Sequence, residues 1–156
     1  MTYTMRVSAP PIGDEDISKL EREIGLFLPD FYKKFLKKNN GGRPDPKYFL
    51  IRYFEDNPIG QIQDFFAIND PVKSCRIDWQ YKNNKNKIPK NLFPIAIEDG
   101  GSLICISLSG LGEGGVYYWN FYGENNRSSD DNVYVINESF DEFIDGLYFY
   151  DPLAGR

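Results

Sequence analysis

The sequence predicts an α+β domain in which N-terminal, central and C-terminal helices pack on an antiparallel or mixed sheet of about five to six strands. Three observations lead to this class. The chain has 156 residues, 41% of them hydrophobic and 26% charged, which suits one compact domain with a real core. Apolar residues recur at helical spacing near both ends and once in the middle. Between those stretches lie short runs rich in aromatic and β-branched residues, separated by Gly, Asn and Asp. No repeat, low-complexity tract or long linker divides the chain, so residues 1–156 read as a single domain with its core at about 14–148.

Each element has a local reason. Asp14-Glu15-Asp16 places acids in the first turn of a helix whose apolar face is Ile17, Leu20 and Ile24, and Gly25 ends it. Pro29 suits the first position of a second helix with the stripe Phe31, Tyr32, Phe35 and Leu36. Lys33, Lys34, Lys37 and Lys38 favour its C-terminal half, and Asn39-Asn40-Gly41-Gly42 offers left-handed cap residues. Residues 48–54 and 62–68 read as strands. Asp70-Pro71 resembles a cap and first position, with Val72, Cys75 and Trp79 along one helix face, before the polar run 82–87 and Pro89 stop it. A meander follows at 92–97, 103–108 and 116–122, then an apolar-free segment at 123–132 and a short strand at 133–136. Ser139-Phe140-Asp141-Glu142 is a capping box opening a last helix that buries Phe140, Phe143, Ile144 and Leu147.

Composition excludes several classes of function. The chain contains no His, which removes Ser-His and Cys-His nucleophile pairs, imidazole metal ligands and the commonest general base near neutral pH. Two cysteines, Cys75 and Cys105, are too few for a four-thiolate zinc site and read as buried, reduced packing residues. No cofactor, metal or catalytic residue is expected. No apolar run approaches the roughly 18 residues of a membrane span, and no signal segment is evident, so a cytoplasmic protein is expected.

Charge is distributed unevenly. The net charge of −5 argues against nucleic acid as a partner. Residues 1–91 hold 16 basic and 12 acidic side chains, whereas residues 92–156 hold 2 basic and 11 acidic ones, balances of +4 and −9. That acidic block serves solubility, or it waits for a basic partner that it would attract at long range.

Two motifs invite chemistry. Gly110-Leu111-Gly112-Glu113-Gly114-Gly115 matches the dinucleotide pattern G-x-G-x-x-G. The segment after it reads as a strand rather than the phosphate-binding helix that pattern needs, and Glu113 would repel the phosphate, so a hairpin turn is expected. Glu98-Asp99 is the best carboxylate pair for acid–base work on a sugar, but adjacent strand residues point to opposite faces and Asp99-Gly100-Gly101 is turn chemistry. Alternation also puts Tyr117 and Trp119 on one face and Tyr118 on the other, so one ring set should face solvent or a covering loop.

Together these blocks resemble the SUKH superfamily. Ile17-x-x-Leu20-Glu21-x-x-Ile24-Gly25-x-x-Leu28-Pro29-x-x-Tyr32-x-x-Phe35-Leu36 running into Asn40-Gly41-Gly42 is similar to its N-terminal signature. Pro94-Ile95-Ala96-Ile97-Glu98-Asp99-Gly100-Gly101, with Ile104-Cys105-Ile106 and Gly115-Val116-Tyr117-Tyr118-Trp119, resembles its central one, and Ser139-Phe140-Asp141-Glu142-Phe143-Ile144 with Leu147 its C-terminal helix. Asn120 and Ser102 stand where Asp and Asn are common. The resemblance implies an α+β domain of non-catalytic interaction proteins. Many bacterial members are immunity proteins against polymorphic or contact-dependent toxins, and fungal relatives regulate cell-wall synthesis.

The expectation is therefore an immunity protein that binds the C-terminal domain of a cognate toxin, a basic one such as a nuclease, stoichiometrically through an acidic surface. Candidate contacts, chosen on charge and predicted exposure, are Glu98, Asp99, Glu113, Glu124, Asp130 and Asp131, with Tyr118 and Tyr122 as aromatic anchors. A regulatory or scaffolding interaction module is the alternative reading, and a carbohydrate-active enzyme using a carboxylate pair a further one. Sequence fixes neither the toxin nor the oligomeric state.

Overall fold

In the computed structural model, which describes residues 3–52, 54, 58–121, 132–151 and 153, four α-helices accompany a six-stranded antiparallel sheet and a small two-stranded one. The elements run β1 (Thr4–Arg6), α1 (Asp14–Ile24), α2 (Asp30–Lys38), β2 (Arg43–Asp45), β3 (Tyr48–Leu50), β4 (Ile59–Phe65), α3 (Ile77–Asn84), β5 (Leu92–Glu98), β6 (Leu103–Ser107), β7 (Val116–Trp119), β8 (Val133–Asn137) and α4 (Phe140–Asp145). The large sheet follows chain order from β3 to β8, with α3 inserted between β4 and β5, and β1 pairs with β2. The expected α+β class stands, with every ladder antiparallel.

Both expected N-terminal helices form. Gly25 caps α1 in the left-handed conformation (φ 73°), its N–H donating to the Glu21 carbonyl, and the Asp16 carboxylate accepts the Gly13 N–H at the other end. Pro29 precedes α2 rather than occupying its first turn, and α2 ends differently from expectation. Its cap Asn39 is extended (φ −142°), and the left-handed residues are Gly41 and Gly42 beyond it. The reason is Asn40, which is buried. Its amide donates to the carbonyls of Pro10 (2.9 Å) and Ile68 (2.8 Å) and accepts the Ile68 N–H (2.8 Å), pulling the chain out of helical register.

The third helix starts later than expected. The Asp70 carboxylate accepts the Val72 N–H (2.7 Å), a local turn rather than a helix cap. A single 3-10 turn at Lys73–Cys75 follows, and Ala67 then bonds both the Cys75 carbonyl and the Ile77 N–H, holding Arg76 extended between the turn and α3. Val72 is consequently exposed and Cys75 half-buried, so neither lies on the apolar helix face that their spacing suggested. Cys105 is fully buried, and burial pushes its thiol pKa well up.

Strand β3 starts where expected but is shorter than the run 48–54, and β4 is shifted toward the N-terminus from 62–68. β4 begins at Ile59, with Gly60 buried under the Phe49 ring, where a Cβ would collide with it. Pro94 sits inside β5, at the point where the ladder with β6 shifts register, which is where a central strand tolerates a residue without N–H. Ser139 caps α4 by accepting the Glu142 N–H (3.1 Å).

The core is aromatic. Tyr32 and Phe35 of α2, Phe140 and Phe143 of α4, Phe65 of β4 and Phe93 of β5 form a connected ring cluster with centroids 5.0–6.5 Å apart. Such tilted and edge-on pairs stabilise beyond the area they bury. The sheet also curls until its outer strands meet: the Arg52 N–H donates to the Val135 carbonyl (2.9 Å), and Tyr48 exchanges backbone bonds with Tyr148.

Asn40→Ala removes a side chain satisfying three backbone groups and should lower the unfolding free energy by about 2–4 kcal/mol. Urea denaturation measures this, and a loss below about 1 kcal/mol would show that water replaces the amide.

Candidate functional site

The sheet separates the candidate contact residues into two groups. Glu98 ends β5 and Asp99 opens the β5–β6 turn, at the end of the sheet where Leu103 pairs with Trp119. Phe121 and Asn132, which flank residues 122–131, lie at this same end. The Asn120 N–H donates to the Asn132 carbonyl (2.8 Å), and the Phe121 N–H to the Ser102 hydroxyl (3.0 Å). Tyr122, Glu124, Asp130 and Asp131 fall outside the described residues. Glu113 lies at the opposite end, in the β6–β7 turn beyond Ser107, separated by the length of β6, about 13 Å. The acids chosen from sequence therefore do not form one patch.

Glu98 and Asp99 also differ in surroundings. The half-buried Glu98 carboxylate accepts the Gly100 N–H (3.1 Å) and the Tyr118 hydroxyl (3.3 Å). Its pKa is raised above the ordinary glutamate value, chiefly by loss of hydration, with those two hydrogen bonds opposing. Asp99 is exposed and shares an open cavity of about 470 Å³ with Arg6, Arg43 and Lys47. Its charge thus faces cations from the N-terminal half. The two neighbours do not line one cleft as the paired carboxylates of a glycosidase would.

Tyr118 is placed inside the fold. Only 5% of it is exposed, and its ring packs against Phe49 and Phe54, centroids 6.4 and 5.7 Å away. Phe54 in turn stacks on Tyr134 at 4.8 Å, so this ring set is covered by the curl of the sheet rather than offered to solvent. Sequence alternation placed Tyr118 correctly on its own face but could not reveal the cover.

The glycine-rich stretch 110–115 is the turn between β6 and β7. Gly110, Gly112 and Gly114 all have positive φ, and the ring of Tyr117 lies against Gly112, where a Cβ would strike its hydroxyl. Strand β7 follows directly, so no helix N-terminus is available for a phosphate.

One acidic cleft was invisible in sequence because its parts come from three segments. Asp16 and Glu23 of α1 meet Asp70 and Asp78 around a cavity of about 380 Å³, with Lys19 and Arg76. Three of these carboxylates already have structural work: Asp16 holds the Gly13 N–H, Asp70 the Val72 N–H, and Asp78 the Arg76 guanidinium at 3.3 Å. Among the described residues no three Cys, Asp or Glu side chains converge closely enough to hold a metal ion, and no helix is long and apolar enough to cross a membrane.

The ion pairs are distributed as unevenly as the charges. Lys33–Glu21, Lys37–Asp14, Arg43–Asp64 and Arg76–Asp78 all lie within the first 91 residues. Arg52–Glu138 (3.8 Å) reaches into the acidic block. Among the described residues, Glu98, Asp99, Glu113, Asp141, Glu142, Asp145 and Asp151 have no cation within 4 Å.

The linkage sign for Glu98 follows from its raised pKa. The folded state holds its proton to higher pH than the unfolded state, so stability falls as pH rises from the ordinary glutamate range through the raised value. Glu98→Gln keeps an acceptor for Tyr118 and Gly100 and should gain stability on wild type between about pH 4 and pH 7. Parallel urea midpoints across that range would contradict this.

Comparison with known proteins follows the fold. The chain is 28% identical over 151 residues to the SPbeta prophage-derived uncharacterized protein YokK of Bacillus subtilis (strain 168), covering 86% of this chain and 73% of that one. The model of the SMI1 / KNR4 family (SUKH-1) matches residues 11–146, from the segment before α1 through α4. Since that match spans nearly every described element, the chain belongs to the SMI1 / KNR4 family, SUKH-1.

Proposed function

We propose that this protein is an immunity protein that neutralises the C-terminal domain of a cognate bacterial toxin by covering it, and that it transforms no substrate itself. The observation that carries this reading is the unneutralised acidic half. Seven described carboxylates after residue 91 have no cation within 4 Å, although 16 basic side chains lie earlier in the chain; of the seven, Asp99 shares a cavity with Arg6, Arg43 and Lys47, and Asp141 and Asp145 share one with Lys34 and Lys38. A fold gains nothing from leaving them unpaired, since like charges repel and lower its stability. A basic partner gains attraction at long range and faster association.

Asp145 supports the same reading. It occupies the last turn of α4, where the helix dipole disfavours an anion and the helix itself offers no basic residue, although Lys34 and Lys38 of α2 line the same cavity. The similarity to a prophage-derived protein suits a gene carried on mobile DNA, as toxin and immunity pairs are, better than a housekeeping scaffold. A toxin that cuts nucleic acid presents a basic surface to its polyanionic substrate, and that surface is what an acidic cover would mask. Glu98 at one end of the sheet and Glu113 at the other are assigned to steering, as are Glu124, Asp130 and Asp131 with Tyr122, which lie outside the described residues. Asp99, facing Arg6, Arg43 and Lys47, contributes less than its charge implies.

The test is co-expression with the C-terminal domain of the toxin encoded immediately upstream. The cells should survive, and the two proteins should co-elute at equal stoichiometry. Death of the cells with no complex overturns the reading. Raising salt from about 50 mM to about 500 mM should slow association roughly tenfold or more, and a rate that ignores salt would remove the acidic half from the mechanism.

A further inference from the structure

We infer that the toxin domain seats on the end of the molecule formed by the α1–α2 loop and the β6–β7 turn, with Phe27 and Leu111 as apolar anchors and Glu113 as the charge beside them; this rests on the toxin-binding reading above. Phe27 is 89% exposed and Leu111 fully so, the two most exposed large apolar side chains among the described residues. Single exposed apolar residues are ordinary. They come from segments about 80 positions apart in sequence, yet Phe27 and the turn that carries Leu111 border one cavity of about 360 Å³. Phe27, Leu28, Pro29 and Phe31 line it from the helix side, and Leu108 and Glu113 from the turn that carries Leu111.

Neither anchor is exposed because its loop is loose. The Glu21 carboxylate, mostly buried, accepts the Leu28 N–H (2.7 Å) and pairs with Lys33 (3.3 Å), while the Glu21 carbonyl accepts the N–H groups of Gly25 and Leu26. Those bonds fix both sides of Phe27 and bury Leu28, leaving the Phe27 ring in water. In the turn, Glu113 N–H bonds the Gly110 carbonyl, Gly114 N–H the Ser107 carbonyl and Gly115 N–H the Gly112 carbonyl, at 2.9–3.2 Å. Leu111 is displayed by a hydrogen-bonded turn. Anchors held this way need not be ordered on binding, which is where much of the cost of association lies.

Charge decides the occupant. Glu113 has no cation within 4 Å among the described residues, and the residues lining the cavity include no Lys or Arg. A two-fold pairing of this face with a second copy would bring two Glu113 carboxylates into one interface around cavities whose linings carry no Lys or Arg on either side. The surface instead fits an apolar recess bordered by Lys or Arg, the chemistry expected of a basic toxin domain.

The experiment uses the full chain and the catalytically inactivated toxin domain in surface plasmon resonance, with sedimentation velocity of the chain alone. Phe27→Ser and Leu111→Ser should each speed dissociation about 30-fold or more while leaving the melting temperature near wild type, since both side chains are in water. Glu113→Lys should slow association and flatten its salt dependence. Wild-type dissociation rates in both serine variants, with a complex still formed, overturn this docking face and leave the immunity reading standing. A dimer abolished by Phe27→Ser overturns it in favour of self-association. If wild type itself fails to bind the toxin domain, both readings fall together.

Discussion

The amide of Asn40 is the constraint on which the architecture rests. One buried side chain satisfies Pro10, and both backbone groups of Ile68, so it joins the segment before α1, the end of α2 and the exit of β4 at one point. An apolar residue there would leave the two buried backbone groups of Ile68 without partners, each costing more than a typical hydrogen bond gains, and would release the Pro10 carbonyl. With that junction set, α2 lies on the sheet in one orientation, and the Phe35–Phe65 and Tyr32–Phe93 contacts follow from it. A second polar device, the Glu21 carboxylate, then sets the path between α1 and α2. Both act on backbone groups, so they position chain segments rather than merely adding contact energy.

Local physics made much of this fold legible. The Gly25 cap, the acidic first turn of α1, the Ser139 cap and the six main strands all follow from residues close in sequence. What could not be read depends on residues far apart. The pairing of β1 with β2 joins positions about 40 apart, and neither strand has an apolar run to announce it. The delayed start of α3 comes from Ala67 bonding residues 75 and 77, which no propensity at Asp70-Pro71 encodes. Pro94 could be kept in a strand only because a register shift accommodates it.

The candidate surface was legible as charge and not as place. Composition identified an acidic block, and of its described carboxylates Glu138 alone has a cation within 4 Å. Sequence could not tell that β6 separates Glu113 from Glu98, that Asp99 faces three cations, or that Tyr118 is roofed by Phe54. Burial and long-range adjacency decide those matters, and a strand pattern gives only the face. Phe27, between the partly buried Leu26 and the buried Leu28, is turned outward by the bonds that Glu21, six positions earlier, makes on either side of it.

The meeting of the sheet's outer strands limits how this molecule can recognise anything. Arg52 caps the far rim of β8 at Val135, and Tyr148 occupies the rim of β3 at Tyr48. A visiting peptide therefore finds those main-chain positions already taken and cannot extend the sheet there as an additional strand. Under the binding role proposed above, recognition falls to side chains on turns and helices. Such positions can be exchanged without disturbing the ladder beneath them, which lets one scaffold acquire new specificities while its hydrogen-bonded frame stays the same.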